Sequence, residues 1–357
     1  MPTFDIIKEI KPKQTFRVAS VIGKFDLQSE HIIERFKGNI DIDNEWQIGL
    51  IVGHSGTGKT TIAKQLFSDI LINSFEYKNE TILDDMPKEC SLEQITNAFN
   101  SVGFSSPPSW LKPYNVLSNG EKMRVDLANA ILSDKKIFAF DEFTSVVDRE
   151  VAKIGSFAMQ KAIRKTNKKF IAITCHHDVE DWLLPCWVFN TNDMTFYDNR
   201  KQKKNRPELK FRIYETKEKS KYWSMFAKHH YLSHSHNNAA RVFIAMINEE
   251  VVGFLSVLHF PHPKVKNMKK VHRLVILPDY QGAGFGIKFL NEIGNIYKKE
   301  KQRYTIVTSS PSLINALKKS KEWNCLRIGR TKEVGKGETL LKGTTSKNRI
   351  TASFELK

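Results

Sequence analysis

Eight residues, Gly53-His54-Ser55-Gly56-Thr57-Gly58-Lys59-Thr60, constrain this chain more than any others. An apolar run, Trp46 to Val52, leads into them and an amphipathic stretch, Thr61 to Leu71, leads out, the order of a buried strand, a loop and a helix. The spelling G-x-x-x-x-G-K-S/T has a physical reason at each position. Gly53, Gly56 and Gly58 let the backbone turn and aim consecutive N–H groups at phosphate oxygens, and a helix starting near Lys59 adds its positive end. Lys59 is expected to reach the β and γ phosphates as a point charge, with the Thr60 hydroxyl completing the shell of a Mg²⁺ ion. A glycine-rich turn can match this pattern by chance, but the strand and helix around it argue for phosphate binding.

At 357 residues the chain is comfortable for two domains. No stretch approaches the roughly 18 to 20 consecutive apolar residues that cross a bilayer, and Met1 to Lys13 is too charged for a secretory signal. A soluble, cytoplasmic protein without a membrane partner is the expectation. Cys90, Cys175, Cys186 and Cys325 have neither C-x-x-C spacing nor a matching His pattern, so we read them as reduced, mostly core residues.

Charge becomes informative when located. Residues 1–200 hold 24 Lys/Arg against 27 Asp/Glu, whereas residues 201–357 hold 32 against 12, a net +20. Such asymmetry points to a polyanion, nucleic acid before an acidic membrane surface; a solvated basic surface is the plain alternative.

Ahead of the loop, Phe16 to Ile22 alternates weakly and reads as an edge strand, and Phe25 is a candidate to stack on an adenine or to fill core. Beyond it, Pro and Gly between Met86 and Pro113 are expected to exclude regular structure. Leu117-Ser118-Asn119-Gly120-Glu121 then opens a helical pattern. Ser118 and Gly120 suit an anion-binding helix N-terminus, and Ser118 with Glu121 equally spells a capping box. Ile137 to Phe140 is a short apolar strand closed by Asp141 and Glu142. Asp141 is placed to hold Mg²⁺ through water, and Glu142 to polarise an attacking water. Ser145 to Asp148 follows, and a further strand, Phe170 to Thr174, ends on Cys175 and His176, a candidate partner of the γ phosphate.

These elements, in this order, resemble an ATP-binding-cassette (ABC) ATPase: phosphate loop Gly53–Thr60 with Thr61, signature Leu117–Glu121, acidic strand Ile137–Glu142, aspartate loop Ser145–Asp148 and switch histidine His176. The resemblance implies two ATPs sandwiched in a homodimer, each held by one subunit's phosphate loop and the other's Ser118 and Gly120. The interval from Thr60 to Ser118 is shorter than in transporter cassettes, and Gln94, on an expected helix, is a poor glutamine-loop residue. Both departures favour a soluble cassette acting on a cytoplasmic partner or fused domain.

A basic stretch, Asn199 to Pro207, suits an exposed linker, placed at residues 201–210. From Phe211 the pattern reads strand, helix (Glu218–His229), then a hairpin, Val242–Ile247 and Val251–Leu258, across the turn at Asn248. Another strand, Val271 to Leu277, runs into Pro278-Asp279-Tyr280-Gln281-Gly282-Ala283-Gly284-Phe285-Gly286 and a helix from Ile287. The glycines again offer N–H groups to an anion at a helix start. With no Lys-Ser/Thr after them, a pyrophosphate that is bound but not cleaved fits best.

This second part resembles the GNAT acyltransferases, in which Q/R-x-x-G-x-G/A after the fourth strand holds the pyrophosphate of acetyl-CoA, here Gln281, Gly282, Ala283, Gly284 and Gly286. The resemblance also implies that the fourth-strand backbone, around Val275 and Leu277, pairs with the pantetheine arm. Tyr304–Thr308 and Ser312–Ser320 match the next strand and helix. His272 is the candidate base, while Ser309, Ser310 and Asn315 lie where an acid would come from. The cluster His229 to His236, with Tyr222, Trp223 and Phe226, is similar to phage Mom-type DNA-modifying acyltransferases.

The expected architecture is therefore α/β: a P-loop ABC-type domain over residues 1–200, then an α+β GNAT-like domain over 211–357. The expected function is an ATP-hydrolysing, acyl-CoA-dependent N-acyltransferase acting on nucleic acid. An ATP-switched nucleic-acid clamp with a non-catalytic GNAT fold, or acylation of a protein or small molecule, stands as the alternative.

Overall fold

The computed structural model describes residues 3–10, 13–26, 32–41, 43–72, 75–201, 210–230, 235–261, 265–330 and 350–357. The chain divides into two compact units. One comprises Met1–Phe75, Asp134–Val146 and Ile163–Arg206, the other Glu76–Ser133, Val147–Ala162 and Pro207–Lys357. The second unit thus takes in helices that precede the expected linker, most of which, at residues 202–209, lies outside the described residues.

In the first unit β1 (Thr3–Ile10) and β2 (Ile32–Asn39) form an antiparallel ladder. The main sheet combines β3 (Ile48–Val52), β4 (Leu71–Ile72), β5 (Ile137–Phe140), β6 (Lys169–Thr174), β7 (Trp187–Asn190) and β8 (Thr195–Asp198), in the order β4-β5-β6-β3-β7-β8. Neighbours from β4 to β7 are parallel, and β8 turns back antiparallel on β7. Every residue of β3 is buried, which is why it reads as an unbroken apolar run rather than an alternation. Ile51, Ile171 and Ile173 pack with Ile62 and Ala63 of helix Lys59–Phe67.

Phe16–Phe25 is a helix, not the expected edge strand. Thr15 caps it by accepting from the Val18 N–H, and Asp26 closes it in the left-handed region at φ 48°. Two local caps outweigh a weak alternation in so short a stretch. Phe25, at its end, is exposed.

The helices of the second unit begin with Ile82–Asp85, Leu92–Ser101, Pro107–Trp110, Asn119–Leu132 and Arg149–Ile163. Regular structure therefore does occur between Met86 and Pro113. Pro107 and Pro108 sit at the first helical positions, where their missing N–H groups cost nothing. Gln94 lies within a helix as expected, its side chain accepting from the Ser91 N–H in a capping box. Trp110 packs on Phe99 and donates from Nε1 to the Phe104 carbonyl at 2.8 Å.

The sheet of this unit is built from β9 (Arg212–Thr216), β10 (Arg241–Ile247), β11 (Glu250–His259), β12 (Met268–Ile276), β13 (Arg303–Thr308), β14 (Trp323–Arg330) and β15 (Ile350–Leu356). Its order is β14-β15-β13-β12-β11-β10-β9, antiparallel except between β12 and β13. The β10–β11 turn puts Asn248 at φ 44° and Glu249 at φ 69°, the paired left-handed residues that a tight hairpin demands. Helices Lys219–Phe226, Phe285–Lys299 and Pro311–Lys319 complete the unit. The cysteines are free, but Cys90, Cys175 and Cys186 are only half-buried and Cys325 is exposed, so they are not the core residues expected.

Candidate nucleotide and acyl-CoA sites

In the first unit the loop after β3 turns through Gly56 at φ 85° and Gly58 at φ 83°, conformations that only glycine adopts cheaply. A Cβ on Gly58 would also lie 2.5 Å from the Phe36 ring, so β2 sits hard against the loop. Lys59 begins the helix with its Nζ donating to the His54 carbonyl at 2.6 Å, which draws the ammonium across the loop. Partial burial lowers the Lys59 pKa; Cys175 and Asp141 act in the opposite direction. Lys59, Asp141 at the end of β5, and Cys175 at the end of β6 thus gather beside one loop. Thr60 and Asp141 supply hydroxyl and carboxylate oxygens, the hard donors that Mg²⁺ takes, where bound metal would neutralise phosphate charge. Thr61 is the third residue of the loop's helix, and His54 and Ser55 are exposed at the loop's crest.

Glu142 follows with φ 53°, and the buried Thr144 has φ 68°, which costs a β-branched residue about 1–3 kcal/mol. The Phe143 N–H donates to the Ile173 carbonyl at 2.8 Å, tying this strained turn to β6. The exposed Glu142 is carried by that turn, and His176 follows β6, its N–H donating to Thr174 Oγ1 at 3.2 Å.

Two loop supports have no motif in the sequence. The His54 N–H donates to Asn192 Oδ1 at 2.8 Å, and Thr57 Oγ1 pairs with Thr191 Oγ1 at 2.5 Å. Thr191 is itself anchored by its N–H to the Val52 carbonyl. Only the pairing of β3 with β7 brings them there, and a polar Thr-Asn step after an apolar strand is too common to have flagged it.

In the second unit Ser118 caps helix Asn119–Leu132. Its side chain accepts from the Glu121 N–H, and Glu121 accepts from the Ser118 N–H. Ser118 is exposed at this N-terminus, so the capping box leaves it at the surface. Gly120 is buried, and a Cβ on it would lie 2.6 Å from Asp279 Oδ1.

β12 and β13 pair only from Met268 to Lys270, against Arg303 to Thr305. Over Val271–Ile276, β12 pairs with β11 on one side and with no strand among the described residues on the other. Leu277 donates to the Val252 carbonyl, so alternation turns the backbone of Val275 and Leu277 towards β11. Leu274 and Ile276, rather than Val275 and Leu277, therefore turn their backbone groups away from β11, where the Ile276 carbonyl already accepts from Gln281. The Val275 side chain fills a core with Trp223, Phe226 and Phe254. The loop that follows runs through Gly282 at φ 89° and Gly284 at φ 94°, and Gly284 starts helix Phe285–Lys299. Gln281 donates from Nε2 to the Ile276 carbonyl at 2.8 Å, Ala283 is buried, and Gly286 lies against Ile276.

His272 lies at a slip in register: Arg273 faces Ser256, Val271 faces Val257, and His272 is the extra residue. Such bulges re-aim a side chain. Among the described residues its buried Nε2 has no hydrogen-bond partner, nor has either ring nitrogen of His236, whose ring lies 5.7 Å away. Trp223 lies 5.6 Å from His236. Burial, with Arg273, His236, His230 and Lys270 adding to it, pushes His272 down to about 4. At neutral pH this is an uncharged imidazole, and the burial that keeps it neutral also makes it a weaker base than a free histidine. His229 and His230 are described, but Tyr231 to His234 lie outside the described residues. Ser310 Oγ pairs with Ser312 Oγ at 3.0 Å, and Asn315 is exposed; Ser309 lies between β13 and the next helix.

No helix among the described residues is long and apolar enough to cross a membrane. Residues 238–321 match the family model "Acetyltransferase (GNAT) domain". The chain is 25% identical over 194 residues to the energy-coupling factor transporter ATP-binding protein of Leuconostoc mesenteroides, covering 43% of this chain and 70% of that one. Among solved structures, a Bacillus subtilis acetyltransferase in complex with CoA is 15% identical, with a TM-score of 0.32, over 42% of this chain and 99% of that one. A dimeric ATP-binding cassette in a post-hydrolysis state, bound to ADP and Pi, is 15% identical, with a TM-score of 0.37, over 46% and 92%. The chain is thus an enzyme of mixed α/β fold that is similar in one part to ABC-type ATP-binding proteins and matches the GNAT acetyltransferase model over residues 238–321.

Proposed function

We propose that this protein is an ATP-driven N-acyltransferase acting on nucleic acid. The observation that carries the acyl-transfer part is the open edge of β12, which runs directly into the glycine loop Gln281–Gly286 with His272 at a bulge on the same strand. An extended pantetheine can add to such an edge as a strand would, leaving its pyrophosphate at the helix N-terminus. The thioester then lies along β12. An acceptor amine gives its proton to His272 as it attacks the acyl carbonyl, and the thiolate leaves with the CoA.

The nucleic-acid part rests on the net +20 of residues 201–357, whose lysines and arginines would contact phosphates while a flipped or single-stranded base offers its amine. The similarity of Tyr222 to His236 to Mom-type enzymes points the same way. In the cassette, Gly53 to Thr61 would hold ATP with Mg²⁺ on Thr60 and Asp141, Glu142 and His176 would act at the γ phosphate, and Ser118 and Gly120 of a second copy would close the site. A cytoplasmic setting fits this chemistry.

The test is binding and mass. Purified protein should bind DNA or RNA with an affinity that falls steeply as salt rises, and the nucleic acid should gain an acyl mass after incubation with ATP and acetyl-CoA. Salt-insensitive or absent binding sinks the nucleic-acid reading. Binding without mass gain transfers support to the clamp.

A further inference from the structure

The glycine loop of the second unit is bonded into a helix that the sequence assigns to the cassette. Arg124, on helix Asn119–Leu132, is almost wholly buried, and the hydrogen bonds of its guanidinium run to main-chain carbonyls. Nη2 donates to Asp279 at 2.6 Å, and Nη1 to Gln281 at 3.1 Å and to Val102 at 2.9 Å. A second tie lies beside it: the Ser105 N–H donates to Gln281 Oε1 at 3.1 Å. The segments touch closely enough to need glycines on both sides. A Cβ on Gly103, itself at φ 86°, would lie 2.5 Å from the Gln281 carbonyl, and one on Gly282 would lie 2.8 Å from Gly103 Cα.

Packing alone does not call for arginine here. Burial pulls the Arg124 guanidinium down to about 10, with Asp279 and Glu121 working against that, so the site holds a cation at neutral pH despite the cost. An apolar side chain would fill the same space without desolvating a charge. What arginine adds is a rigid fork of donors that joins three carbonyls from two segments. The same helix begins at Ser118 and Gly120, and Gly120 abuts Asp279. Nucleotide-facing start and acyl-CoA loop are thus two contacts of one rigid rod.

We propose that Arg124 is a positioning residue for the acyl-CoA loop, and that through it nucleotide engaged at Ser118 and Gly120 sets the affinity for acyl-CoA. This rests on the acyltransferase reading above. Linkage makes it reciprocal: acyl-CoA must change nucleotide affinity by the same factor.

The experiment is calorimetric titration of acetyl-CoA into the full chain carrying Glu142→Gln, with and without saturating ATP and Mg²⁺, in that parent and with Arg124→Lys or Arg124→Met added. In the parent, ATP shifts the acetyl-CoA Kd by about fivefold or more. Arg124→Met weakens acetyl-CoA binding about tenfold and removes the ATP-dependent shift, while Arg124→Lys, a single-point donor, keeps part of both. A merely structural role would not make the ATP shift depend on residue 124. Because so buried a position can unfold on substitution, amide hydrogen exchange over residues 278–287 of the parent, with and without ATP, provides a reading that needs no Arg124 variant, and protection there should change with ATP. A parent that binds acetyl-CoA with the same Kd and the same exchange in both states overturns the inference alone. So does a folded Arg124→Met variant with an unchanged ATP shift. A parent that binds no acetyl-CoA brings down the acyltransferase reading, and this inference with it.

Discussion

His272 owes its candidacy to one displaced residue. Were β11 and β12 in unbroken register, alternation would carry it as an ordinary strand position; the slip between Arg273 and Val271 makes it the unpaired residue and leaves Nε2 buried without a partner. Its proton affinity follows. Burial, first, and nearby cations push the pKa down from the ordinary 6.5 to about 4, so the neutral, proton-accepting form predominates at every pH above that. The acyl-transfer rate should therefore show no limb from this group between pH 6 and 8, and any loss attributable to it should appear only as pH falls towards 4. His272→Gln should reduce turnover by about 10²- to 10⁴-fold with acetyl-CoA affinity unchanged within twofold. Turnover equal to the parent in stopped-flow thiol release would remove His272 from the chemistry. At this scale the sequence named the residue through its strand, but the slip that sets it at a bulge depends on which residues of β11 it faces, and no local pattern encodes that.

At the scale of elements, two glycine loops do related work with different equipment. Each enters from a strand, passes through left-handed glycines and opens a helix, a shape that would let consecutive main-chain N–H groups converge on an anion. The first adds Lys59 and Thr60 in its own sequence; the second leans on Ile276 through Gln281 and takes its cation, Arg124, from another helix. Gly284→Glu separates binding from folding. Open space surrounds its Cβ position, so no clash arises, although φ 94° strains any side chain by about 1–2 kcal/mol. A carboxylate at that helix start should repel the pyrophosphate and lower acetyl-CoA affinity at least about 100-fold while thermal unfolding shifts by only a few degrees. Undiminished binding in calorimetry would place the CoA elsewhere. The turns of both loops were legible because a left-handed backbone calls for glycine at fixed positions in contiguous residues. The helix Phe16–Phe25 was not, since its pattern is short and its caps, Thr15 and Asp26, are common residues in any loop.

At the scale of the whole molecule, the ABC-like half predicts an assembly. If ATP is completed by Ser118 and Gly120 of a second copy, blocking hydrolysis should hold two copies together. Glu142→Gln with saturating ATP and Mg²⁺ should double the mass seen by light scattering, and a monomer under those conditions would refute the sandwich. The sequence by itself determined the two glycine loops between strand and helix, the acidic end of β5 and the concentration of positive charge after residue 200, because each is written in neighbouring residues or in composition. Tertiary structure decided the rest: that β12 parts from β13 after Lys270, that Thr191 and Asn192 brace the first loop, and that Arg124 grips the second across a sequence gap of more than 150 residues. Those contacts join positions remote in the chain, and a guanidinium among carbonyls or a threonine beside a glycine leaves no periodicity to read. They arise only when non-local pairing has brought the partners within reach.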